Sequence, residues 1–450
     1  LSIQNIFLMV SSYTFYAFWN WKFLFLILFS TLFNYFVGLA IFKHKNSNIR
    51  YYYLLSSIIV NFTILGFFKY YNFFIDSFEI LLGNFGYINN NNWSLNIILP
   101  LGISFYTFQA LSYTFDIYYK KFKPTKNFIA FATFVSFFPQ LVAGPIERAS
   151  SLLPQILKKR TFKYNSAIKG LRLILWGMFK KIVIADNLSN RVDLIFENYN
   201  ILDGGTLTLG LIYFSFQIYC DFSGYSDIAI GTSKLFGLNL KSNFNFPYFS
   251  KNIKEFWKKW HISLSSWFRD YLYFPLGGSK KSTAKTIKNI FIVFLLSGLW
   301  HGANWTFIMW GFTHSFIYVC YTLFKIINIK SSKFILQNKI IKSSLYFTKI
   351  IITYLSVTFS WVFFRSENIS QGFNYIKYII LKFSFPQDNK GGIIFIIILL
   401  LFELTMKNNP KNPLYYKNIF LRNLIYFVLL FFIFSHFKII NSTEFIYFQF

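Results

Sequence analysis

Residues 294–311 read FLLSGLWHGANWTFIMWG, a histidine between two apolar runs. The run before His301, residues 286–300, has only about fifteen residues, whereas a helix needs about 20 to cross a bilayer. We therefore expect a half-length helix that ends at His301, with Gly298, Gly302 and Asn304 beside it. An ionisable side chain inside an apolar segment is costly and is by default a functional hypothesis.

The rest of the chain is similarly apolar. Of its 450 residues, 55% are hydrophobic, 23% are aromatic and only 14% are charged. Soluble domains carry about 25% charged residues, so the composition excludes a soluble multi-domain protein and a disordered chain. It predicts an integral membrane protein in contact with the lipid bilayer.

The apolar runs have the lengths of helices in lipid, and the alternating ten-residue segments of a β-barrel do not occur. The sequence therefore predicts an all-α polytopic membrane protein of about 11–13 helices, with residues 1–450 as a single domain. The chain begins at Leu1, and we expect a natural N-terminus, with one further span, to precede it. The runs lie near 6–19, 23–42, 51–75, 97–118, 127–146, 166–185, 206–236, 286–300, 305–325, 345–364, 393–406 and 419–437.

The net charge of +29 would indicate nucleic-acid binding in a soluble protein, but here the lysines cluster in short loops. Such loops face the cytoplasm in membrane proteins. Part of the Lys, Asn, Ile, Phe and Tyr bias reflects AT-rich codons. The loops predicted to be cytoplasmic are 43–50, 120–126, 148–160, 234–259, 280–288 and 407–422, whereas 76–96 and 186–205 are acidic and face the opposite side.

Two segments lie between basic loops and cannot simply cross the membrane. Residues 127–146 contain Pro139, Gly144 and Pro145, which break a helix, so we predict a re-entrant hairpin. Residues 251–274 alternate aromatic and basic side chains at helical spacing, so we predict an amphipathic helix at the cytoplasmic interface. Two non-crossing elements indicate an enclosed cavity, as in an enzyme or a transporter.

His301 and His261 are the leading functional candidates. A buried histidine is able to act as a general base, although a core histidine bonded to a carbonyl is equally consistent with His301. Near His261, Lys258 and Arg269 would attract an anionic, phosphate-bearing donor. The simpler interpretation of the lysines is contact with anionic lipid headgroups.

Other polar residues in apolar segments have a structural interpretation that is at least as good. Asp221 would orient a histidine or hold an arginine, but a structural ion pair for Asp221 and Asp227 is favoured. Glu147 and Arg148 are expected to pair with each other or with a cavity wall, and packing best explains His314. Asp116 and Glu403 are weaker candidates. The histidines lack the spacing of zinc sites, so we expect no metal and no resident cofactor.

Together these motifs resemble the membrane-bound O-acyltransferases, and most of all the bacterial branch that modifies alginate, peptidoglycan and teichoic acid. The resemblance covers nearly the whole chain. It rests on FVSFFPQLVAGPIER (134–148), YCDFSGYSDIAIGTSKLFG (219–237), NFPYFSKNIKEFWKKWHISLSSWFRDYLYFPLGG (245–278), LLSGLWHGANW (295–305) and the closing EFIYFQF (444–450).

The resemblance implies a helical bundle around a central funnel or tunnel, in the bacterial inner membrane. It implies His301 as the catalytic residue and His261 as its assistant or as part of the donor route. Acetyl-CoA would be the donor substrate, and a separate extracytoplasmic transferase of the SGNH type would pass the acetyl group to a polysaccharide. Candidate residues that line the donor route are Trp300, Asn304, Asp221, Ser263, Trp267, Arg269 and Lys258.

The acceptor polysaccharide has three alternatives, which we rank as peptidoglycan, then alginate or another exopolysaccharide, then D-alanyl transfer to teichoic acid. Two interpretations without acyl chemistry also remain. A transporter would explain intramembrane charges and a re-entrant hairpin equally well. A scaffold for the extracytoplasmic partner would not need His301.

Overall fold

A computed structural model describes residues 1–86, 93–280, 282–327, 339–386, 388–407, 409, 412–437 and 445–446. These residues form helices and connecting loops and include no strand. The predicted all-α class is therefore confirmed. Most of the closing EFIYFQF motif, and the predicted loop residues 87–92, 281, 408, 410 and 411, lie outside the described residues.

Six helical stretches of the described chain are long and apolar enough to cross a membrane, which confirms a multi-pass membrane protein. They are Ser2–Lys43, Ser47–Asn84, Thr283–His301, Trp305–Phe324, Ser343–Arg365 and Ile419–His436. Their backbone N–H and C=O groups bond within each helix, as a lipid environment requires. The other described helices, which include the 32-residue Gly204–Leu235, add to these stretches.

The chain divides into two compact units. Unit 1 comprises Leu1–Gly170 and Thr232–Lys241. Its helices are α1 (Ser2–Asn20), α2 (Leu24–Lys43), α3 (Ser47–Leu65), α4 (Tyr71–Asn84), α5 (Ile103–Tyr118), α6 (Phe128–Ser136), α7 (Phe138–Leu141), α8 (Ala149–Ile156) and the first half of α9 (Tyr164–Met178). A π-helical turn, Gly66–Tyr70, joins α3 to α4.

Unit 2 comprises Leu171–Gly231 and Ser242–Phe450. The prediction of a single domain stays a prediction. The helices are α10 (Asp186–Glu197), α11 (Gly204–Leu235, whose last turn belongs to unit 1), α12 (Ile253–Lys259), α13 (Ile262–Phe268), α14 (Thr283–His301), α15 (Trp305–Ile327), α16 (Lys339–Arg365), α17 (Ile369–Leu381), α18 (Ile393–Met406) and α19 (Ile419–His436). π-Helical turns cover Phe179–Ala185, between α9 and α10, and Arg269–Tyr273, after α13.

Asparagine side chains start many of these helices. Asn127, Asn252, Asn368 and Asn418 each accept a hydrogen bond from a backbone N–H in the first turn of the helix that follows. Such a cap satisfies a donor that the helix itself leaves open and is worth about 1 kcal/mol. The asparagine bias therefore has a structural use as well as a codon origin.

Buried amides and hydroxyls join three helices of unit 1. Asn34 on α2 and Asn61 on α3 exchange side-chain hydrogen bonds of 3.2 and 3.0 Å. Ser57 donates to Asn34 at 2.8 Å and lies 3.1 Å from the hydroxyl of Thr114 on α5. All four side chains are buried. Interhelical polar contacts of this kind hold helices together where lipid offers no hydrophobic driving force.

The expected half-length helix before His301 is wrong, because α14 has 19 residues and begins at Thr283. Lys285 and Lys288 lie in its first turns, and they shorten the apolar run without ending the helix. Ser282 caps it by accepting a hydrogen bond from the N–H of Lys285. His301 is the last residue of a full-length helix.

Two glycines let α14 and α15 approach at backbone distance. A Cβ at Gly298 would collide with the carbonyl oxygen of Phe307, and a Cβ at Gly311 would collide with the carbonyl oxygen of Phe294. Small residues at such crossings are typical of packed membrane helices. The two helices therefore form a tight hairpin whose turn, residues 302–304, follows His301 directly.

Neither predicted non-crossing segment is a continuous helix. Residues 127–146 form α6 and α7, which are separated at Phe137, and α6 has only 9 residues. The predicted single amphipathic helix over 251–274 is wrong, because the chain breaks at Trp260–His261 between α12 and α13. The re-entrant and interfacial placements of the two segments stay predictions.

The α14–α15 contact should be sensitive to one methyl group. We expect Gly298→Ala and Gly311→Ala each to lower the free energy of unfolding by about 1–3 kcal/mol, because the added Cβ overpacks against a carbonyl. The matched control is Gly66→Ala, whose Cβ would meet nothing within 4 Å. Thermal unfolding in detergent measures the difference, and equal midpoints for all three variants would contradict the contact.

Candidate functional site

The two predicted histidines meet inside unit 2. The ring centroids of His261 and His301 lie 6.2 Å apart. Both side chains are buried, with exposures of 1% and 4%. The ring of Trp300 lies 5.8 Å from His261 and 5.1 Å from His301. Residues 40 positions apart in the sequence thus form one buried cluster.

Aromatic side chains form the wall around His301. Trp310 on α15 lies 5.1 Å from the imidazole, centroid to centroid, and Phe364 on α16 lies 5.4 Å away, both edge-on. Trp310 stacks in turn on Trp361, with 5.7 Å between the rings. The rings of this wall are buried, so any charge that develops next to His301 would be poorly screened.

His261 has a left-handed backbone, with φ 40° and ψ 55°. This conformation is uncommon for a residue with a side chain, and surrounding contacts must hold it. Its carbonyl accepts a hydrogen bond from the N–H of Ser265 at 2.9 Å. The positive φ at His261 ends α12 and changes the direction of the chain before α13 begins. The imidazole therefore lies in the interior.

Asn243 holds this turn from outside it. Its carbonyl accepts the N–H of Ile262 at 2.9 Å, and its Oδ1 accepts the N–H of Ser263 at 3.3 Å. Its Nδ2 donates to the hydroxyl of Ser226 at 3.2 Å. The side chain of Asn243 is completely buried. Asn243 therefore ties the turn at His261 to α11.

The imidazole of His261 lies in an apolar environment. The ring of Phe222 lies 4.6 Å away, edge-on. Burial lowers the pKa of His261 to about 3, so the ring is neutral at neutral pH. A neutral imidazole offers one donor and one acceptor to a bound group.

Asp221 forms an ion pair with a lysine. This is the structural ion pair that the sequence favoured over an interaction with a histidine or an arginine. Its Oδ1 lies 2.8 Å from Nζ of Lys181, and Lys181 also lies 2.9 Å from Asp186. Its Oδ2 accepts the backbone N–H of Ile446 at 2.7 Å. Asp221 thus connects α11 with the C-terminal part of the chain. The next residue in the sequence is Phe222, whose ring contacts His261.

Asp227 is paired in the same way. Nζ of Lys180 lies 2.7 Å from Asp227 and donates to Ser223 at 2.9 Å. The two lysines are consecutive, and both lie in the π-helical turn Phe179–Ala185. Such turns often occur at functional sites.

The remaining predicted residues differ in their surroundings. Ser263 and Trp267 are buried near the turn, and Trp267 packs on Tyr271 at 5.2 Å. Lys258 and Arg269 are exposed, and Nε of Arg269 donates to Asp270 at 2.8 Å. Their placement on the donor route stays a prediction.

Asn304 has a clear local role. It caps α15 by accepting the N–H of Thr306 at 3.0 Å, and its Nδ2 donates to the carbonyl of Glu367 at 2.9 Å. It therefore fixes the turn after His301. Its predicted place on the donor route stays a prediction.

The weaker candidates have structural contacts. Nε2 of His314 lies 2.7 Å from the hydroxyl of Ser360, within the aromatic packing expected for it. Tyr219 donates to Glu403 at 2.5 Å. In unit 1, Glu147 accepts the backbone N–H of Lys241, and burial raises the pKa of its carboxyl. Among the described residues, no group of three histidine, cysteine or acidic side chains is placed to hold a metal ion.

Sequence reasoning missed Asn243, Lys180 and Lys181. The lysines carried a usable signal, because two cations inside the apolar run 166–185 require anionic partners and Asp221 and Asp227 were available. Asn243 carried no such signal. Its contacts with Ile262 and Ser263 join residues about 20 positions apart, with α12 between them in the sequence, and no periodicity marks them.

Comparison with known families gives a match over residues 119–364. The matching family model is described as MBOAT, the membrane-bound O-acyltransferase family. The matched range includes His261, His301, Asn243 and the ion pairs Lys180–Asp227 and Lys181–Asp221.

Curated relatives extend the similarity to most of the chain. The chain is 40% identical over 367 residues to a probable alginate O-acetylase of Pseudomonas aeruginosa, covering 81% of this chain and 68% of that protein. It is 36% identical over 399 residues to the peptidoglycan O-acetyltransferase of Helicobacter pylori, covering 83% and 73%. It is 33% identical over 241 residues to a teichoic acid D-alanyltransferase of Bacillus subtilis, covering 51% and 60%.

Removal of the Asn243 side chain should loosen the His261 turn. We expect Asn243→Ala to lower the free energy of unfolding by about 1–3 kcal/mol, because it leaves a buried N–H and a buried hydroxyl without their partner. We also expect His261 to become reactive toward diethyl pyrocarbonate, as read by mass spectrometry. Asn198→Ala, at an exposed position of unit 2, is the control. Unchanged His261 reactivity would contradict the role of Asn243 in holding the turn.

The Lys181–Asp221 pair should show strong coupling. We expect Lys181→Met to lower the free energy of unfolding by about 3 kcal/mol, because it leaves the buried carboxylate of Asp221 without its cation. Asp221→Leu should cost less, because Lys181 is partly exposed and keeps Asp186 at 2.9 Å. The double variant should lose less than the sum, since both charges are gone. A double-mutant cycle of thermal unfolding in detergent measures the coupling, and additive losses would show that the pair contributes nothing.

Proposed function

Because the chain belongs to the membrane-bound O-acyltransferase family and is therefore a membrane-bound acyltransferase, we propose that it transfers acetyl groups for the O-acetylation of an extracytoplasmic polysaccharide. The family membership decides between the interpretations left open by the sequence, in favour of an enzyme over a transporter or scaffold. The relatives named as O-acetylases and O-acetyltransferases support acetyl as the acyl group.

The observation that carries the proposal is the buried meeting of His261 and His301. Two imidazoles with 6.2 Å between their centroids, surrounded by Trp300, Trp310 and Phe364, would provide proton-transfer groups in a buried aromatic environment. This arrangement suits a reaction that moves one proton and must exclude water, which would otherwise hydrolyse the donor.

In the proposed reaction, His301 takes the proton of an acceptor hydroxyl while the hydroxyl oxygen attacks the carbonyl carbon of a thioester. The carbon–sulfur bond then breaks, an ester forms, and the proton passes to the departing thiolate. His301 lies at the C-terminus of α14, where the negative end of the helix dipole favours a transient positive charge. General base catalysis of this kind contributes about 10²–10⁴-fold.

His261 would assist from the opposite side of the cluster. Its ring is neutral, so it is able to donate a hydrogen bond to the carbonyl oxygen of the thioester or to orient the acceptor. The hydrogen bonds that Asn243 accepts from Ile262 and Ser263, together with the left-handed backbone, would hold the ring in place before any substrate binds. Preorganised donors of this kind stabilise developing negative charge without reorganisation.

We propose acetyl-CoA as the donor, approaching from the cytoplasmic side. The exposed side chains of Lys258 and Arg269 would attract its phosphates, since guanidinium and ammonium groups bind phosphate oxygens. The basic loops predict the cytoplasmic face, and a bacterial inner membrane is the place where cytoplasmic acetyl-CoA and an external polysaccharide are separated by one bilayer.

The acceptor is proposed to be peptidoglycan, with an SGNH-type transferase outside the membrane completing the reaction. Both acetylating relatives act on polysaccharides by name, one on peptidoglycan and one on alginate. Alginate or another exopolysaccharide is the second candidate, and the teichoic acid relative, which matches a shorter part of the chain, supports D-alanyl transfer as the third.

Loss of the His301 imidazole should abolish acetylation without unfolding the protein. We expect His301→Ala and His301→Gln to reduce ester-linked acetate by a hundredfold or more, because the general base is gone. The measurement is acetate released by mild alkali, separately from purified peptidoglycan and from soluble polysaccharide, in cells that carry each variant. The fraction that loses acetate identifies the acceptor.

His436→Ala on α19 is the matched control and should keep wild-type acetate at equal protein level in the membrane. Unchanged acetate in both fractions of the His301 variants would rule out acetyl transfer through His301. Ester-linked D-alanine would then be measured in the same strains, and its loss would support D-alanyl transfer.

A further inference from the structure

A cleft in unit 1 lies at the start of α9. Its volume is about 540 Å³, and its lining includes Lys163, Lys169, Lys234 and Asn239. None of these residues takes part in the proposed acyl transfer. The cleft lies wholly within unit 1 and is formed by two chain segments, 163–169 and 234–239.

The cleft is strongly positive. Its lining contains three lysines and no carboxylate. Lys169 and Lys234 are close enough for their like charges to repel each other. Nζ of Lys234 donates to Oδ1 of Asn239 at 2.9 Å, which is a neutral acceptor. An anion in the cleft would relieve this repulsion.

The start of α9 adds to the positive field. The helix begins at Tyr164, beside Lys163, and runs for 15 residues. The first N–H groups of a helix have no partner inside it, and the positive end of the helix dipole lies there. Phosphate groups bind readily at such helix ends.

A second, apolar cleft of about 200 Å³ is formed by the adjoining stretches 160–162 and 235–237, together with α1. Phe162 and Phe7 line it and are 75% and 61% exposed. Arg160 also lines it, and its guanidinium donates to Oδ1 of Asn5 at 2.9 Å and to the carbonyl of Ile156 at 3.2 Å. The residues that line the apolar cleft are therefore sequence neighbours of those that line the positive cleft, on the same two segments.

We propose that the two clefts together bind one anionic phospholipid, with its phosphate among Lys163, Lys169 and Lys234 and an acyl chain against Phe162 and Phe7. A soluble phosphate compound would explain the lysines but would have no use for the adjoining apolar cleft. Both segments adjoin loops predicted to be cytoplasmic, and the cytoplasmic leaflet carries the anionic lipids. This lipid site is independent of the proposed transfer reaction.

The test compares lysine variants of the full chain. Lys163→Gln, Lys169→Gln and Lys234→Gln are combined in one variant. The control combines Lys45→Gln, Lys123→Gln and Lys126→Gln, which removes the same charge from exposed positions of unit 1. Each protein is purified from nanodiscs of phosphatidylglycerol or of phosphatidylcholine, and native mass spectrometry counts the lipids that remain bound.

We expect wild type and control to retain one phosphatidylglycerol and the cleft variant to bind it at least tenfold more weakly, since each lysine near an anionic lipid is worth about fivefold. Phe162→Ala, which changes no charge, should also weaken retention. Equal retention by cleft variant and control would overturn the proposal, as would equal retention of phosphatidylcholine. Displacement of the lipid by glycerol 3-phosphate alone would overturn it in favour of a soluble phosphate ligand.

Discussion

The close approach of α14 and α15 is the contact on which the site depends. Gly298 lies against the carbonyl of Phe307, and Gly311 lies against the carbonyl of Phe294. Helices this close leave room for only a short turn, so His301 is fixed at the closed end of the hairpin. The same approach places Trp310 next to the imidazole. A helix pair held apart by larger side chains would move the imidazole away from His261.

Much of the architecture was predictable because the bilayer permits so few solutions. A chain this apolar must satisfy its backbone internally, and helices do so segment by segment. The two histidines were also predictable, since an ionisable side chain in apolar surroundings is costly and therefore indicates a functional site. The length of α14 was not predicted, because Lys285 and Lys288 lower the local hydropathy although lysine is a good helix former.

The break at His261 was hidden from the sequence for a different reason. Helical periodicity assumes that every residue in a run has a right-handed backbone, and one left-handed residue invalidates the assumption. The contacts that hold it come from Asn243, which precedes α12 in the sequence, and no local pattern indicates them. The pairing of Lys180 and Lys181 with Asp227 and Asp221 was in principle deducible, but the π-helical turn that lets consecutive lysines reach both carboxylates was not.

The left-handed backbone at position 261 also determines how a role for this histidine is best isolated. Alanine lacks the imidazole and also disfavours a positive φ. An alanine variant would therefore combine the loss of a chemical group with a displaced turn. Asparagine adopts positive φ more readily than most residues. Substitution by asparagine therefore removes the ring while the course of the main chain is preserved, and comparison of the two variants separates chemistry from architecture.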